Sequence, residues 1–179
     1  YRAMPNIYTF RPCDVVETAE AWEIALESEK TPSILALSRQ SVPTLRTDSS
    51  ENLSKRGGYI ISKAEREPQA TIIATGTEVS LAMEAQKQLH ESGIAVNVVS
   101  MPCCELFDLQ PEEYKHSVLG NAPKVAVEAA AVYGWERYTG KSENVIGLNS
   151  FGASGKGDEV YKHFGITAEN VVKKVRELI

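Results

Sequence analysis

Cysteine is scarce: Cys13, Cys103 and Cys104 are the only three in 179 residues. So sparse and odd a set gives no disulfide framework and reads as free thiols in a reducing compartment, the cytoplasm. The adjacent pair has no nearby Cys or His to complete a metal site. Basic residues are not in excess, and the net charge of -5 excludes an electrostatic nucleic-acid binder. No apolar run approaches the roughly 18 residues of a membrane span. Internal repeats and low-complexity tracts are missing. The opening Tyr-Arg-Ala-Met-Pro has neither an initiator Met nor the apolar stretch of a signal peptide, and reads as a fragment or processed chain.

What is present is ordinary for a globular protein, with 42% hydrophobic and 24% charged residues. Residues 1–13 read as irregular, with Pro5 and Pro12 limiting regular structure. Asp14 and Glu17 form an acidic variant of the capping box, so a helix is expected to start there. Val15, Ala19, Trp22 and Leu26 fall on one face of it. Ser33 to Leu37 reads as a fully buried strand. Helix then strand, with no partner strand upstream, is an incomplete α/β unit and the clearest internal sign of truncation. Residues 46–56, in a Ser/Thr/Asp/Glu/Lys-rich stretch that starts at Ser41, read as a linker.

From Gly57 a second unit follows. Strands are expected at Tyr59–Ser62, Ala70–Ala74, Ala95–Ser100, Lys124–Glu128 and Val145–Leu148. Helices are expected from Thr77 to about His90, after Pro111, around Val132–Tyr138, over Asp158–His163 and after Thr167. Pro102 to Leu109 reads as a loop. This alternation predicts an α/β fold: a mainly parallel sheet with helices on both faces, preceded by the partial α/β unit.

Ser38-Arg39-Gln40 stands where a buried strand ends, the edge at which open α/β sheets bind ligands. There a guanidinium fork suits a phosphate or carboxylate, although a surface ion pair is the plainer use of Arg39. Thr75-Gly76-Thr77-Glu78 reads as a tight strand-to-helix turn, because one glycine is too few for a dinucleotide fingerprint and Glu78 competes with an anion. Gly152-Ala153-Ser154-Gly155-Lys156-Gly157 fails as a phosphate loop, since Gly157 replaces the metal-binding Ser or Thr. It reads instead as a flexible connection packed closely on a neighbour. Glu128, ending an apolar strand, reads as a hydrogen-bonding group at a domain or subunit contact rather than a catalytic acid. His90, His116 and His163 read as surface residues, and Trp22 and Trp135 as core or interface anchors.

Several segments carry a family likeness from end to end. They are Arg2-Ala3-Met4-Pro5-Asn6, Phe10-Arg11-Pro12-Cys13-Asp14, Ser38-Arg39-Gln40, Gly57-Gly58-Tyr59, Ala74 to Val79, Val99-Ser100-Met101-Pro102, Val127-Glu128-Ala129 and Phe151-Gly152-Ala153-Ser154. Together they resemble transketolases, and most nearly the type of fungi and other lower eukaryotes. The resemblance implies that residues 1–45 are the end of a pyrimidine-binding domain, 46–56 a linker and 57–179 the carboxyl-terminal domain. It also implies transfer of a two-carbon ketol unit between sugar phosphates by a cytoplasmic homodimer, with thiamine diphosphate and a divalent metal (Mg or Ca). By motif, Arg39 would help bind the substrate phosphate. No residue here carries over as catalytic, cofactor-binding or metal-binding: the family's Gly-Asp-Gly motif is absent, and Gly157-Asp158 continues Glu-Val. The chain alone is therefore expected to be inactive. Dihydroxyacetone synthase, or a non-catalytic assembly or regulatory module, are the alternatives; no nucleic acid or membrane partner is implied.

Overall fold

The computed structural model describes residues 1–179. A small unit comes first: β1 (Tyr8–Phe10), α1 (Val15–Glu27) and β2 (Ser33–Leu35), with β1 and β2 paired in parallel. The upstream partner strand that the sequence reading lacked is therefore present, and residues 1–13 are not wholly irregular. The three residues of β1 are too few to show a period. β2 is also shorter than expected and only half-buried, with Leu37 50% exposed.

Helix α1 starts as its capping residues dictate. Asp14 Oδ1 accepts the Glu17 amide at 2.9 Å, and Glu17 Oε2 accepts the Cys13 amide at 2.7 Å. Its burial reverses the expectation. Val15, Ala19, Trp22 and Leu26 face solvent, while Glu17, Glu20, Ala21 and Ile24 are buried. The polar side turns inward because its carboxylates find partners there. Glu20 accepts Ser54 Oγ at 2.6 Å and pairs with Arg46, and Glu17 meets two hydroxyls described below.

Residues 41–52 carry no regular structure and lead into a short 3-10 turn, Leu53–Arg56. This stretch is tied down: Asp14 Oδ2 accepts the amides of Leu45 and Arg46 at 2.9 and 3.1 Å.

A five-stranded sheet follows, built from β3 (Tyr59–Ser62), β4 (Ala70–Ala74), β5 (Val96–Ser100), β6 (Lys124–Ala131) and β7 (Val145–Leu148). Its order is β3-β5-β4-β6-β7; only β3 runs antiparallel. Neighbouring residues of β4 serve opposite faces. Ile72 packs with Val98, Val127 and the helices α2 (Glu78–Glu91) and α7 (Ala168–Leu178). Ile73 packs with Val99, Ala126, Phe107 and Trp135 on the other side. Both Ile side chains are fully buried, each stabilising the fold by roughly 1.5–3 kcal/mol. With both faces covered, the central strands can be apolar throughout.

The second face is roofed by α3 (Cys104–Asp108), α4 (Glu112–Leu119) and α5 (Glu136–Thr139), and α6 (Gly157–His163) precedes α7. The expected loop over Pro102–Leu109 is thus helical in its middle, where Cys104 and Phe107 are buried on one face. β6 runs three residues past Glu128, its pairing to β7 irregular between Val127 and Ala131.

Candidate functional site

Two groups of residues lie at carboxyl ends of parallel strands, where ligands of α/β sheets bind. The first is the Ser38-Arg39-Gln40 triplet beyond β2. All three residues are exposed. Ser38 Oγ accepts the Gln40 amide at 3.0 Å and donates to the Gln40 carbonyl at 2.9 Å, so the turn closes on itself. Arg39 joins none of the ion pairs of the chain. The plainer use, neutralising a surface acid, is not realised. A fork of donors left without a carboxylate suits an incoming anion.

Around the triplet the sequence is brought together from three places. A cleft of about 350 Å³ is lined by Asp14, Thr18, Ser38, Gln40 and Thr44, at the small end of ligand-sized cavities. Gly157 approaches from the far end of the chain. A Cβ there would lie 3.0 Å from Gln40 Nε2. The Gly/Ser loop therefore packs on the triplet at Gly157, whereas Gly152 has nothing near it.

The second group sits between the small unit and the five-stranded sheet. Arg11 Nη1 lies 2.8 Å from Glu78 Oε2 and 2.9 Å from Glu128 Oε1. Arg2 Nη1 lies 2.6 Å from Glu128 Oε2, and Trp135 Nε1 donates to that oxygen at 2.5 Å. Burial alone would lower the Arg11 pKa, but the Glu78 and Glu128 carboxylates outweigh it and hold the guanidinium charged. Glu128 is thus a hydrogen-bonding group between the two units, and Trp135 is core, at 1% exposure. Trp22, at 52%, is not core.

Neither Arg2 nor Arg11 emerges from the sequence as a site residue, because an isolated arginine carries no periodicity. The usable signal was Glu128, in an apolar strand, and Glu78, opening the helix that follows one; acids so placed demand buried partners. The three histidines are exposed. The three thiols are buried and unpaired, and burial raises the pKa of each.

No cluster of three His, Cys, Asp or Glu side chains is arranged to hold a metal ion. Together with the missing Gly-Asp-Gly sequence, this means the residues present do not fit a diphosphate–metal cradle. No helix is long and apolar enough to cross a membrane.

A model of the transketolase-like C-terminal domain matches residues 57–167, and one of the transketolase pyrimidine-binding domain matches residues 1–44. Transketolase of Sinorhizobium medicae (strain WSM419) is 49% identical over 180 residues, covering 99% of this chain and 26% of that protein. The Cereibacter sphaeroides enzyme is 49% identical over 179 residues, covering 99% and 27%. A crystal structure of a Pichia stipitis transketolase mutant with xylulose 5-phosphate superposes with a TM-score of 0.91 at 43% identity, covering 99% of this chain and 26% of that one. The Leishmania mexicana enzyme gives 0.89 at 44%, with coverages of 99% and 26%. These two bacterial proteins share more residues with the chain than these two eukaryotic structures do. The chain spans about a quarter of the length of the relatives it matches.

Proposed function

Because this chain belongs to the transketolase family, we propose that it is part of an enzyme that moves a two-carbon ketol unit between sugar phosphates, as in the pentose phosphate pathway. Arg39 is the residue that binds the phosphate of the sugar. The observation that carries this reading is an exposed guanidinium with no carboxylate partner at the carboxyl end of a parallel strand. The relative crystallised with xylulose 5-phosphate supports the substrate class.

Residues 1–45 are the end of the pyrimidine-binding domain, 46–56 the linker and 57–179 the carboxyl-terminal domain. Thiamine diphosphate and a divalent metal (Mg or Ca) supply the carbanion chemistry to the whole protein and are held by residues outside this chain. The work of this chain is to orient one end of the substrate. By itself it does not turn over substrate. The whole protein acts as a homodimer in the cytoplasm, in keeping with three unpaired thiols.

The test is Arg39→Ala in the full-length protein. KM for phosphorylated acceptors should rise about tenfold to a hundredfold, the worth of one charge-assisted contact. KM for an unphosphorylated acceptor should stay within about twofold. Equal changes for both acceptors would refute the phosphate role.

A further inference from the structure

Beyond β4 the chain's connections leave in opposite directions, with β5 on one side of that strand and β6 on the other. Such a switch point opens a crevice at the carboxyl ends of the strands, where doubly wound sheets take dinucleotides and related ligands. In this protein the crevice is filled by its own chain. The segment before α1 runs across it, and the group at its centre is the Arg11 guanidinium.

The segment is held at the crevice by backbone bonds to two neighbouring turns. The Arg11 carbonyl accepts the Gly76 amide at 2.9 Å, and its amide donates to the Pro102 carbonyl at 2.8 Å. Those partners belong to the turns that follow β4 and β5. The floor under the guanidinium is Gly76, with φ +59°; a Cβ there would lie 3.1 Å from Arg11 Nη2 and 3.2 Å from Cζ. The glycine of this strand-to-helix turn thus gives an arginine its close approach, in the place where a dinucleotide fold admits pyrophosphate.

The walls are two carboxylates, Glu78 and Glu128, at 0% and 1% exposure. Each is aimed by further donors. Glu78 accepts the Ala129 amide at 2.9 Å and the Tyr161 hydroxyl at 2.5 Å, and Glu128 accepts the Trp135 indole. Arg2 lies beside this group, its guanidinium carbon 5.4 Å from the Trp135 ring centroid. Two buried acids side by side are costly without a cation, and they reject an anionic phosphate outright. Both acids meet Arg11 Nη1, while Nη2, Cζ and Nε lie 3.1, 3.2 and 3.3 Å from where a Gly76 Cβ would stand, so a flat guanidinium laid over the glycine answers the geometry better than a point-charge ammonium.

We propose that the carboxyl-edge crevice of the five-stranded sheet is a guanidinium-recognition socket, with Arg11 as its resident ligand and Arg2 seated beside it. The socket docks the unit that bears Arg39 onto the larger domain. A domain without chemistry of its own thereby uses its ligand edge as an internal latch. This inference stands on the contacts of Arg11 and does not depend on the role of Arg39.

The test uses the whole chain. Arg11→Ala should lower the thermal midpoint by roughly 10 °C, as expected for breaking a buried pair in a protein of this size. Millimolar ethylguanidinium should then raise the midpoint of this variant saturably and leave that of the wild type unchanged. Ethylammonium should not restore it, and adding Glu78→Gln should abolish the rescue. Equal effects of the two cations, or an equal rise in the wild type, would overturn the proposal. Should Arg11→Ala not fold, nitrogen-15 NMR of the wild type decides. Arg11 Nε–H and Nη–H should exchange slowly and rotate with hindrance, while those of Arg39 average freely. An Arg11 side chain as free as that of Arg39 would overturn the proposal.

Discussion

The Tyr59 hydroxyl donates to Glu17 Oε1 at 2.8 Å, joining β3 to α1 across 42 residues of sequence. Ser100 Oγ donates to the same oxygen at 2.6 Å, and no cation pairs with this acid. Burial raises the Glu17 pKa, with the hydrogen bonds from Ser100, Cys13 and Tyr59 opposing the shift in part. The folded protein therefore holds a proton on this acid more tightly than the unfolded chain does. That contribution to stability is complete below the unfolded value of about 4.3 and is lost as pH rises through the higher folded value. Glu17→Gln should abolish it, so the stability of wild type relative to the variant should fall as pH rises from about 4 towards neutrality. Urea unfolding of both proteins over that range measures this; parallel curves would contradict the raised pKa.

Asp14 caps α1 with one oxygen and holds the amides of Leu45 and Arg46 with the other. Asp14→Ala should cost about 2 kcal/mol, roughly half from the lost cap and half from the orphaned amides. Hydrogen exchange at Leu45 and Arg46 should accelerate in the variant. Unchanged protection there would mean that the segment is anchored elsewhere.

Gly57 has φ +76°, and a Cβ on it would stand 2.1 Å from the Phe107 amide nitrogen. Gly57→Ala should destabilise by about 3 kcal/mol, from left-handed strain plus overpacking against backbone that cannot yield. Gly93 has the same sign of φ, at +75°, with nothing within 4 Å. Gly93→Ala should cost only about 1 kcal/mol. Chemical denaturation of the pair separates the two effects, and equal losses would show that sterics at Gly57 are unimportant.

Trp22 is 52% exposed and Trp135 1%. Acrylamide should quench one component of the fluorescence readily and leave the other nearly untouched. Trp22→Phe should remove the quenchable component with little change in stability, since surface substitutions stay within about 0.5 kcal/mol. A chain whose fluorescence resists acrylamide throughout would place Trp22 in an interface.

The larger unit was legible because each of its strands is a short apolar run closed by a turn residue. Ala70–Ala74 and Val145–Leu148 lie where the pattern puts them. The Thr167 cap was equally readable, its hydroxyl accepting the Asn170 amide at 3.3 Å. The small unit was read less well, for physical reasons. β1 has three residues, fewer than one period-two pattern needs. In α1 the apolar stripe and the buried stripe are different faces, because Glu17 and Glu20 obtain buried partners from β3, β5 and the 3-10 turn. No local pattern announces partners so far away. At the candidate site, the triplet containing Arg39 was visible as a motif, but the approach of Gly157 to Gln40 from the end of the chain was not.

The ion pairs of Arg2 and Arg11 with Glu128 span 126 and 117 residues. During vectorial synthesis the arginines leave the ribosome well before Glu128. At about 5–20 residues per second they wait on the order of ten seconds before the place they occupy exists. Loop closure over such separations is slow, so their seating should be a late event in folding. Until then Arg2 lacks its carboxylate, Arg11 has only Glu78 to meet, and the sheet is half-built.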